Sequence, residues 1–338
     1  MPRAPKQEIL YQEQLNVPEF FLRWATPAEV ALYRADRLKC NTIAEIGAGI
    51  GGQTIAFAKE CKKVIAVEID KKQTDILKDN LKRLNITNVT VISEDGLSNF
   101  VVNMIKSEKP DIIFCDTARK TEGERSIDDL RPNIEKVIEK YSDITDKIAI
   151  EVPPFTKDLD RLKGNYEKEF LSLYGKLNRL TLYFNKLRKT GRAAVSLPEG
   201  TRIEDRDVPK IETSESAVPF SYLYTIDPAV VLSGLIDELA AHFKANLIEM
   251  NKKSYFLSKE RIKSDFLQGY KILDICDNNF NTILNSLIKL DAGKVVIRYN
   301  ILPEDYWKER NKYENRLSGE REVHVFANKE AILCTSMN

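Results

Sequence analysis

The sequence has few of the residues that metal sites and disulfide frameworks require. It contains two histidines among 338 residues, and its five cysteines are scattered without a C-x-x-C pair. This composition excludes a histidine-rich metal site and predicts reduced cysteines. The sequence also has no run of eighteen apolar residues, and "MPRAPKQEIL" lacks the apolar region of a signal peptide. We therefore expect a cytoplasmic protein without a metal or membrane partner.

An excess of charge of either sign is also absent. The chain has 52 Lys and Arg against 51 Asp and Glu, for a formal net charge of +1. This balance excludes a uniformly basic nucleic-acid binder but leaves room for local basic patches. A hydrophobic fraction of 43% provides material for cores, and the length predicts two domains with an appendage.

The residue patterns divide the chain into four segments. Residues 1–40 are predicted to form amphipathic helices, and 41–200 to form an α/β domain. Residues 201–219 are polar and contain two prolines, which predicts a linker. Residues 220–338 alternate again between strand and helix patterns, which predicts a small α+β domain of split βαβ units. Its expected elements are a helix over Pro228 to Phe243, a strand near Tyr270 to Cys276, a helix over Asn278 to Leu290, a strand at Lys294 to Tyr299, a helix from Pro303 and a final hairpin turned at Asn328-Lys329.

The α/β domain shows the pattern of a doubly wound sheet. From Thr42 to Val152, five short apolar runs rich in Val and Ile alternate with helical segments. Parallel strands buried on both faces have this composition. A hairpin turned at Tyr174-Gly175 and a further strand ending at Pro198 follow without crossover helices. We therefore expect the sheet to end in antiparallel strands.

A glycine-rich turn follows the first apolar run. Gly47, Gly49 and Gly52 fit G-x-G-x-x-G, and Glu68 lies 19 residues beyond Gly49. Glycines let the backbone approach a polar ligand closely, and the N–H groups of the helix N-terminus point toward it. The match alone is compatible with a dinucleotide, with S-adenosylmethionine or with no ligand.

Three further features favour S-adenosylmethionine. Glu45 lies two residues before the first glycine, where a carboxylate would oppose a pyrophosphate but could accept hydrogen bonds from a cationic amino-acid tail. Asp95, after the third apolar run, could meet an adenine amino group. The expected antiparallel ending is typical of methyltransferases and unusual for a dinucleotide domain.

The stretches "EIGAGIGG", "AVEID" and "SEDG" resemble three motifs of class I S-adenosylmethionine-dependent methyltransferases, over about Thr42 to Pro198. The resemblance implies a mostly parallel, seven-stranded Rossmann-like sheet with S-adenosylmethionine as cofactor. It also implies that the cofactor would contact Glu45, Gly47, Gly49, Glu68, Ile69, Asp95 and Gly96. Glu45 and the two glycines would hold the methionine part, Glu68 the ribose and Asp95 the adenine. The alternative is that the glycines serve turn geometry and the acids are solvated strand ends.

The acceptor is expected beside "DIIFCD", because the carboxyl end of the fourth strand faces the ligand in doubly wound folds. This strand ends at Asp116 and is followed by Thr117-Ala118-Arg119, so Asp116 and Arg119 are the candidate catalytic residues. Cys115 is predicted to be structural. Amino methyltransferases of nucleic acids usually carry Asn/Asp-Pro-Pro-aromatic here, and its absence puts base amino methylation in doubt.

Longer stretches resemble methyltransferases that carry a C-terminal THUMP-like domain: "DTARKTEGERSIDDLRP", "EFLSLYGKLNRLTLYF" and "YLYTIDPAVVLSGLIDELA", with Thr117 in place of their proline. THUMP domains recognise RNA, so the resemblance implies methylation of tRNA or rRNA held by a ferredoxin-like, THUMP-like tail. Small-molecule or protein methylation, or a non-catalytic cofactor-binding module, are the alternatives.

Basic residues cluster in three stretches that could contact phosphates. The tail cluster also contains Tyr255 and Phe256, which would add stacking on bases. Solvated surfaces would show the same composition. The clusters consist of Arg119, Lys120 and Arg125; of Lys186, Arg188, Lys189 and Arg192; and of Lys252, Lys253, Lys259, Arg261 and Lys263.

Overall fold

The computed structural model describes residues 8–22, 25–119 and 126–337. The chain divides into two compact units, Met1–Asp205 and Arg206–Asn338. The helices of the first unit are α1 (Glu19–Leu22), α2 (Ala28–Arg37), α3 (Gly52–Glu60), α4 (Lys71–Arg83), α5 (Asn99–Glu108) and α6 (Ile134–Tyr141). Its strands are β1 (Thr42–Ile46), β2 (Lys63–Glu68), β3 (Val89–Ser93), β4 (Ile112–Asp116), β5 (Ala118–Arg119), β6 (Leu130–Arg131), β7 (Ile148–Val152), β8 (Tyr166–Leu173), β9 (Lys176–Phe184), β10 (Arg192–Leu197) and β11 (Thr201–Glu204).

Nine of these strands form one sheet in the order β11-β10-β8-β9-β7-β4-β1-β2-β3. Five neighbouring strands of this sheet, β7, β4, β1, β2 and β3, are parallel, as the alternating pattern predicts. β9 then lies antiparallel between β7 and β8. The carboxyl ends of β1, β2, β4 and β7 therefore meet at one edge of the sheet, where ligands of doubly wound folds bind.

The far side of the sheet departs from the sequence prediction in two ways. β10 runs parallel to β8 and not antiparallel. β9 is antiparallel to β8, so the chain leaves β9 near the beginning of β8, and β10 then starts there and pairs with the edge of β8 that β9 does not occupy. Thr201–Glu204, predicted to begin a linker, forms β11 and pairs antiparallel with β10. The sheet thus has nine strands and not seven. β11 has no buried residue, so no apolar run marked it.

The N-terminal helix α2 packs against the sheet within the first unit. Ala31, Ala35 and Leu38 share a core cluster with Phe57 and Phe114. Buried charges join the same helix to the late strands: Arg37 and Arg202 both pair with Glu167 and Glu169. Burial opposes the charged form of Glu167, but the two arginines hold its pKa below the ordinary value.

The second unit is an α+β domain with one eight-stranded sheet in the order β12-β14-β15-β13-β16-β19-β18-β17. Its helices are α7 (Pro228–Ser233), α8 (Ile236–Phe243), α9 (Phe280–Lys289) and α10 (Tyr306–Glu314). Its strands are β12 (Thr213–Ser214), β13 (Tyr222–Ile226), β14 (Asn246–Met250), β15 (Lys253–Ser258), β16 (Leu267–Asp277), β17 (Ala292–Ile297), β18 (Arg321–Ala327) and β19 (Glu330–Ser336).

The second half of this domain follows the sequence prediction. β16, α9, β17 and the β18–β19 hairpin lie within a few residues of their expected places, and β17 and β18 pair in parallel around α10. The predicted single helix over Pro228 to Phe243 is two helices, because Gly234 adopts φ +69° and ends α7. Within the described ranges, no helix combines the length and apolarity needed to cross a membrane.

Candidate functional site

A cleft of about 1600 Å³ opens at the carboxyl ends of the central strands. Its lining includes Gly47, Gly49, Glu68, Ile69, Asp95 and Gly96 around β1, β2 and β3, and Asp116, Thr117, Glu151, Pro153, Pro154, Asn178 and Arg179 around β4, β7 and β9. Small-molecule pockets typically measure about 300–1,000 Å³. The cleft therefore has room for a cofactor and for part of a second molecule.

The turn after β1 can accommodate only glycine at its first position. Gly47 adopts φ +84°, and a Cβ built there would lie 2.5 Å from the carbonyl oxygen of Asp116. The N–H groups of Gly47 and Ala48 both donate to the carbonyl oxygen of Val67, at 2.9 and 3.0 Å. These bonds hold the turn after β1 to the end of β2, and the absence of a Cβ at Gly47 lets the end of β4 approach closely.

Glu68, at the end of β2, has a fixed orientation on the cleft wall. Its Oε2 accepts a hydrogen bond from the Gly49 N–H, and its Oε1 accepts one from the Asp70 N–H, both at 2.8 Å. Each carboxylate oxygen can accept a further hydrogen bond. The pair of oxygens could therefore accept from two neighbouring hydroxyls. The next residue, Ile69, is 69% exposed and supplies an apolar surface in the cleft.

Asp95 and Gly96 form a third ordered turn in the cleft. The Oδ1 of Asp95 accepts a hydrogen bond from the Leu97 N–H at 2.8 Å. A Cβ on Gly96 would lie 2.5 Å from Cγ2 of Ile46, so this turn also needs glycine. The hydroxyl of Tyr141 donates to the Gly96 carbonyl oxygen from behind.

The structure places Glu45 behind the cleft wall and not among the lining residues. It is 1% exposed, and its Oε2 accepts a hydrogen bond from Thr54 Oγ1 at 2.6 Å, which joins β1 to α3. Burial raises its pKa to about 8, although the bond from Thr54 opposes this rise. The side chain is therefore mostly neutral at pH 7. Its contact with an amino-acid tail stays a prediction.

Asp116, at the end of β4, is half-buried and lines the cleft. Burial and the neighbouring Glu151 raise its pKa to about 8, while Arg179 and Arg34 oppose the rise. Glu151 itself is 5% exposed, pairs with Arg34, and has its Oε1 2.6 Å from Nε of Arg179. A carboxyl with a pKa near neutrality in a cleft can exchange a proton with a bound molecule.

Thr117, the residue after Asp116, is hydrogen-bonded to β7. The N–H and the hydroxyl of Thr117 donate to the Glu151 carbonyl oxygen, at 3.3 and 2.8 Å. A proline at this position could not donate the first of these bonds. Arg119 follows in β5, which pairs with β6. The described part of the chain does not include its side chain, nor Lys120 and Arg125.

The charges around the cleft are predominantly negative. Among the described residues, seven acidic and three basic side chains line it, so the acidic ones outnumber the basic ones even when Asp116 is protonated: Glu68, Asp70, Glu94, Asp95, Asp116, Asp128 and Glu151 against Arg131, Lys136 and Arg179. A surface of this sign favours a cationic ligand and opposes a pyrophosphate. Within the described ranges, no group of His, Cys, Asp and Glu has the arrangement of a metal site. The electrostatics therefore favour a sulfonium ligand over a dinucleotide.

Sequence reasoning missed Asn178 and Arg179, both of which line the cleft. They belong to β9, whose later residues are buried and mostly apolar. The polar pair in "KLNRLTLYF" was the available signal, because two adjacent polar residues lie within a strand that is otherwise mostly apolar after its first residue.

The basic clusters predicted from the sequence differ in which of their side chains are exposed. Lys252 and Lys253 are exposed at the turn between β14 and β15. The prediction that Tyr255 and Phe256 stack on bases is wrong, because they are 6% and 0% exposed and belong to the core. In the second cluster, the Nζ of Lys186 lies 2.9 Å from a carboxylate oxygen of Asp146. The tail cluster can therefore supply phosphate contacts but not stacking from these two rings.

Comparison with known proteins gives matches to RNA methyltransferases over part of the chain. Residues 21–125 match the family model described as ribosomal RNA adenine dimethylase. The chain is 46% identical over 68 residues to a probable ribosomal RNA small subunit methyltransferase A of Methanosphaera stadtmanae, covering 20% of this chain and 25% of that protein. It is 32% identical over 104 residues to ribosomal RNA small subunit methyltransferase A of Desulforapulum autotrophicum, covering 31% and 36%. The chain thus spans about a quarter to a third of these relatives' length.

A solved structure matches nearly the whole chain. The crystal structure of a Porphyromonas gingivalis protein, named a methyltransferase by inference, superposes with a TM-score of 0.77 at 17% identity. The match covers 95% of this chain and 83% of that one. At this identity the similarity shows the fold, and the prediction of a Rossmann-like methyltransferase fold is confirmed.

Proposed function

We propose that this chain is an S-adenosylmethionine-dependent methyltransferase that acts on RNA. The observation that carries the proposal is the negatively charged cleft, in which a turn that requires glycine and a fixed carboxylate lie at adjacent strand ends. The turn, Glu68 and Asp116 all lie within the segment that matches the ribosomal RNA adenine dimethylase model. When bound, S-adenosylmethionine supplies a methyl group on a positively charged sulfur.

Within this proposal, each residue of the cofactor half has one task. The backbone at Gly47 and Gly49 lies against the methionine part, and Glu68 accepts from the two ribose hydroxyls. Ile69 covers one face of the adenine, and Asp95, next to Gly96, accepts from the adenine amino group. The contacts that orient Glu68 and the exposure of Ile69 support these roles.

Asp116 accepts the proton that the acceptor loses when it gains a methyl group. Its place beside the acceptor half of the cleft and its raised pKa support this role. Arg119 follows three residues later, and its proposed task is to contact a phosphate of the substrate beside the acceptor. In-line transfer otherwise needs chiefly the positioning of the two molecules.

An RNA substrate is supported by the names of the relatives, which are ribosomal RNA methyltransferases. They favour ribosomal RNA over tRNA, over a small molecule or protein, and over a module without activity. With such a substrate the enzyme works in the cytoplasm. Asp-Thr-Ala-Arg replaces the Asn/Asp-Pro-Pro-aromatic motif. The proposed activity is therefore methylation of RNA and does not specify adenine dimethylation.

The second unit is proposed to hold the RNA as a ferredoxin-like, THUMP-like domain. Its β16-α9-β17-α10-β18-β19 order, with parallel β17 and β18, is an arrangement of split βαβ units. The exposed Lys252 and Lys253 on the β14–β15 turn supply phosphate contacts. Their side chains form no ion pair with another residue of the described ranges.

Replacing Lys252 and Lys253 together with alanine should weaken RNA binding. Loss of two phosphate contacts is expected to reduce the slope of log affinity against log salt by about 1 to 2 and to lower affinity by about tenfold at moderate salt. Filter binding with total RNA from a strain lacking the gene, repeated at several salt concentrations, measures both quantities. The double variant of Lys78 and Lys82, exposed lysines of α4, removes the same charge elsewhere and serves as the control.

The same RNA, incubated with tritiated S-adenosylmethionine and the wild-type enzyme, tests the proposed activity. We expect label in RNA that nuclease treatment removes, and nucleoside mass spectrometry identifies the base. Label that survives nuclease, or no label in RNA from the deletion strain, would contradict an RNA substrate.

A further inference from the structure

A β-bulge interrupts the pairing of β8 and β9 beside the cleft. Leu171 pairs with Arg179, but the next residue, Ser172, pairs with Leu177, so Asn178 is an extra residue on β9. Neighbouring residues of a regular strand point to opposite faces of the sheet. Bulges redirect side chains and occur often next to active sites. Here both Asn178 and Arg179 line the cleft.

Of the two redirected side chains, Arg179 has a partner within the described residues, whereas the side-chain oxygen of Asn178 does not. Arg179 contacts Glu151, with 2.6 Å between Nε and Oε1, and its Nη1 donates to the Asn178 carbonyl oxygen at 3.2 Å. The side-chain oxygen Oδ1 of Asn178 is buried and accepts no hydrogen bond from any residue in the described ranges. Buried amide oxygens in folded proteins nearly always have a partner, so an orphaned one needs an explanation.

The place of Asn178 in the cleft lining indicates what the partner of this oxygen is. Asn178 belongs to the acceptor half of the cleft, which it lines together with Asp116, Pro153 and Pro154. The cofactor half lies around the ends of β1, β2 and β3. A missing donor on the acceptor side is therefore expected to come from the acceptor and not from the cofactor.

We propose that Asn178 is a substrate-binding residue whose Oδ1 accepts a hydrogen bond from an N–H group of the acceptor nucleobase. The inference rests on the proposed RNA methylation and deepens it by naming the group that is recognised. Every standard base of RNA carries ring or exocyclic N–H donors on its Watson–Crick edge, and a carbonyl oxygen is their complementary partner. A site with a buried acceptor discriminates against molecules that lack the donor, because the acceptor would then stay unpaired.

Replacing Asn178 with leucine, which has a similar size and no polar group, separates this role from a structural one. The kcat/KM for total RNA from the deletion strain is expected to fall by about 10- to 100-fold, as expected for the loss of one buried hydrogen bond. The melting temperature should stay unchanged or rise, because the variant removes an acceptor that has no partner in the folded protein. Calorimetry with S-adenosylhomocysteine should show unchanged affinity.

Lys176→Ala, an exposed position at the start of the same strand and outside the cleft lining, is the control for changes to β9. The inference is overturned if Asn178→Leu methylates the RNA as efficiently as the wild type, or if it loses melting temperature and cofactor affinity along with activity. A wild-type enzyme that binds S-adenosylhomocysteine but labels no RNA overturns the proposed function instead, and with it the nucleobase as ligand.

Discussion

Asp116→Asn is expected to lower methyl transfer to RNA by about 100- to 10,000-fold, the range over which a positioned acid or base contributes to catalysis. Asparagine keeps the size of the side chain but cannot accept the proton that the acceptor loses. The affinity for S-adenosylhomocysteine should stay nearly unchanged, because the proposed cofactor contacts come from other strand ends. Asp143→Asn, an exposed change outside the cleft lining, is the control.

The pH dependence of kcat/KM for the wild-type enzyme tests the same role of Asp116 as a base. Because the pKa of Asp116 is raised to about 8, its carboxyl is mostly protonated at pH 7 and becomes a base as the pH rises. The kcat/KM should therefore increase as the pH rises through about 8, and the residual activity of Asp116→Asn should lack this increase. An asparagine variant that retains most of the wild-type activity would remove Asp116 from the mechanism.

The contribution of Asp116 to the stability of the folded protein should decrease with rising pH, whereas kcat/KM increases. The folded protein holds the Asp116 proton more tightly than the unfolded chain, whose carboxyl has an ordinary pKa. Its contribution to stability is fully present in acid and is lost as the pH rises toward about 8. Asp116→Asn avoids this loss, so its melting temperature should match or exceed that of the wild type above pH 8. A lower value there would indicate a structural defect.

Gly47→Ala is expected to abolish measurable binding of S-adenosylhomocysteine, a loss of affinity of at least about 100-fold. The new Cβ would lie 2.5 Å from the Asp116 carbonyl oxygen, and this oxygen belongs to backbone that cannot rotate away. The ends of β1 and β4 must separate, and the turn that approaches the ligand moves with them. Isothermal titration calorimetry measures the affinity, and circular dichroism checks that the variant is folded.

Gly175→Ala is the matched control for this change. Gly175 also has a positive φ, +69°, but a Cβ there would have no atom within 4 Å. Both variants place alanine in the left-handed region, at a cost of about 1–2 kcal/mol. Gly175→Ala should therefore lose stability and keep the wild-type affinity. If Gly47→Ala also binds normally, the turn does not contact the ligand.

The sequence predicted the parallel half of the sheet well, because βαβ units have strong local signals. Buried parallel strands are apolar runs, and their carboxyl ends must meet at one edge. Gly47, Glu68, Asp95 and Asp116 follow or end such strands and were therefore predicted to share one site, and all four line the cleft. Glu45 lies behind it, since alternation along β1 directs its side chain away from the ligand side.

Features that depend on contacts between distant segments were missed. β11 is a half-exposed edge strand without an apolar run, and its pairing depends on β10. Tyr255 and Phe256 lie between lysines in the sequence, but pairing of β15 with β13 and β14 buries both rings. Asn178 reaches the cleft only because pairing with β8 skips it. Tertiary pairing determined the outcome in each case.

Calorimetric titration of the wild-type protein tests the identity of the ligand most directly. S-adenosylhomocysteine and NAD⁺ share the adenosine that Glu68, Ile69 and Asp95 are proposed to bind, but only NAD⁺ carries a pyrophosphate. We expect saturable one-to-one heat with S-adenosylhomocysteine and none with NAD⁺, because acidic side chains outnumber basic ones among the described residues that line the cleft. Saturable heat with NAD⁺ and none with S-adenosylhomocysteine would contradict the assignment of the cleft.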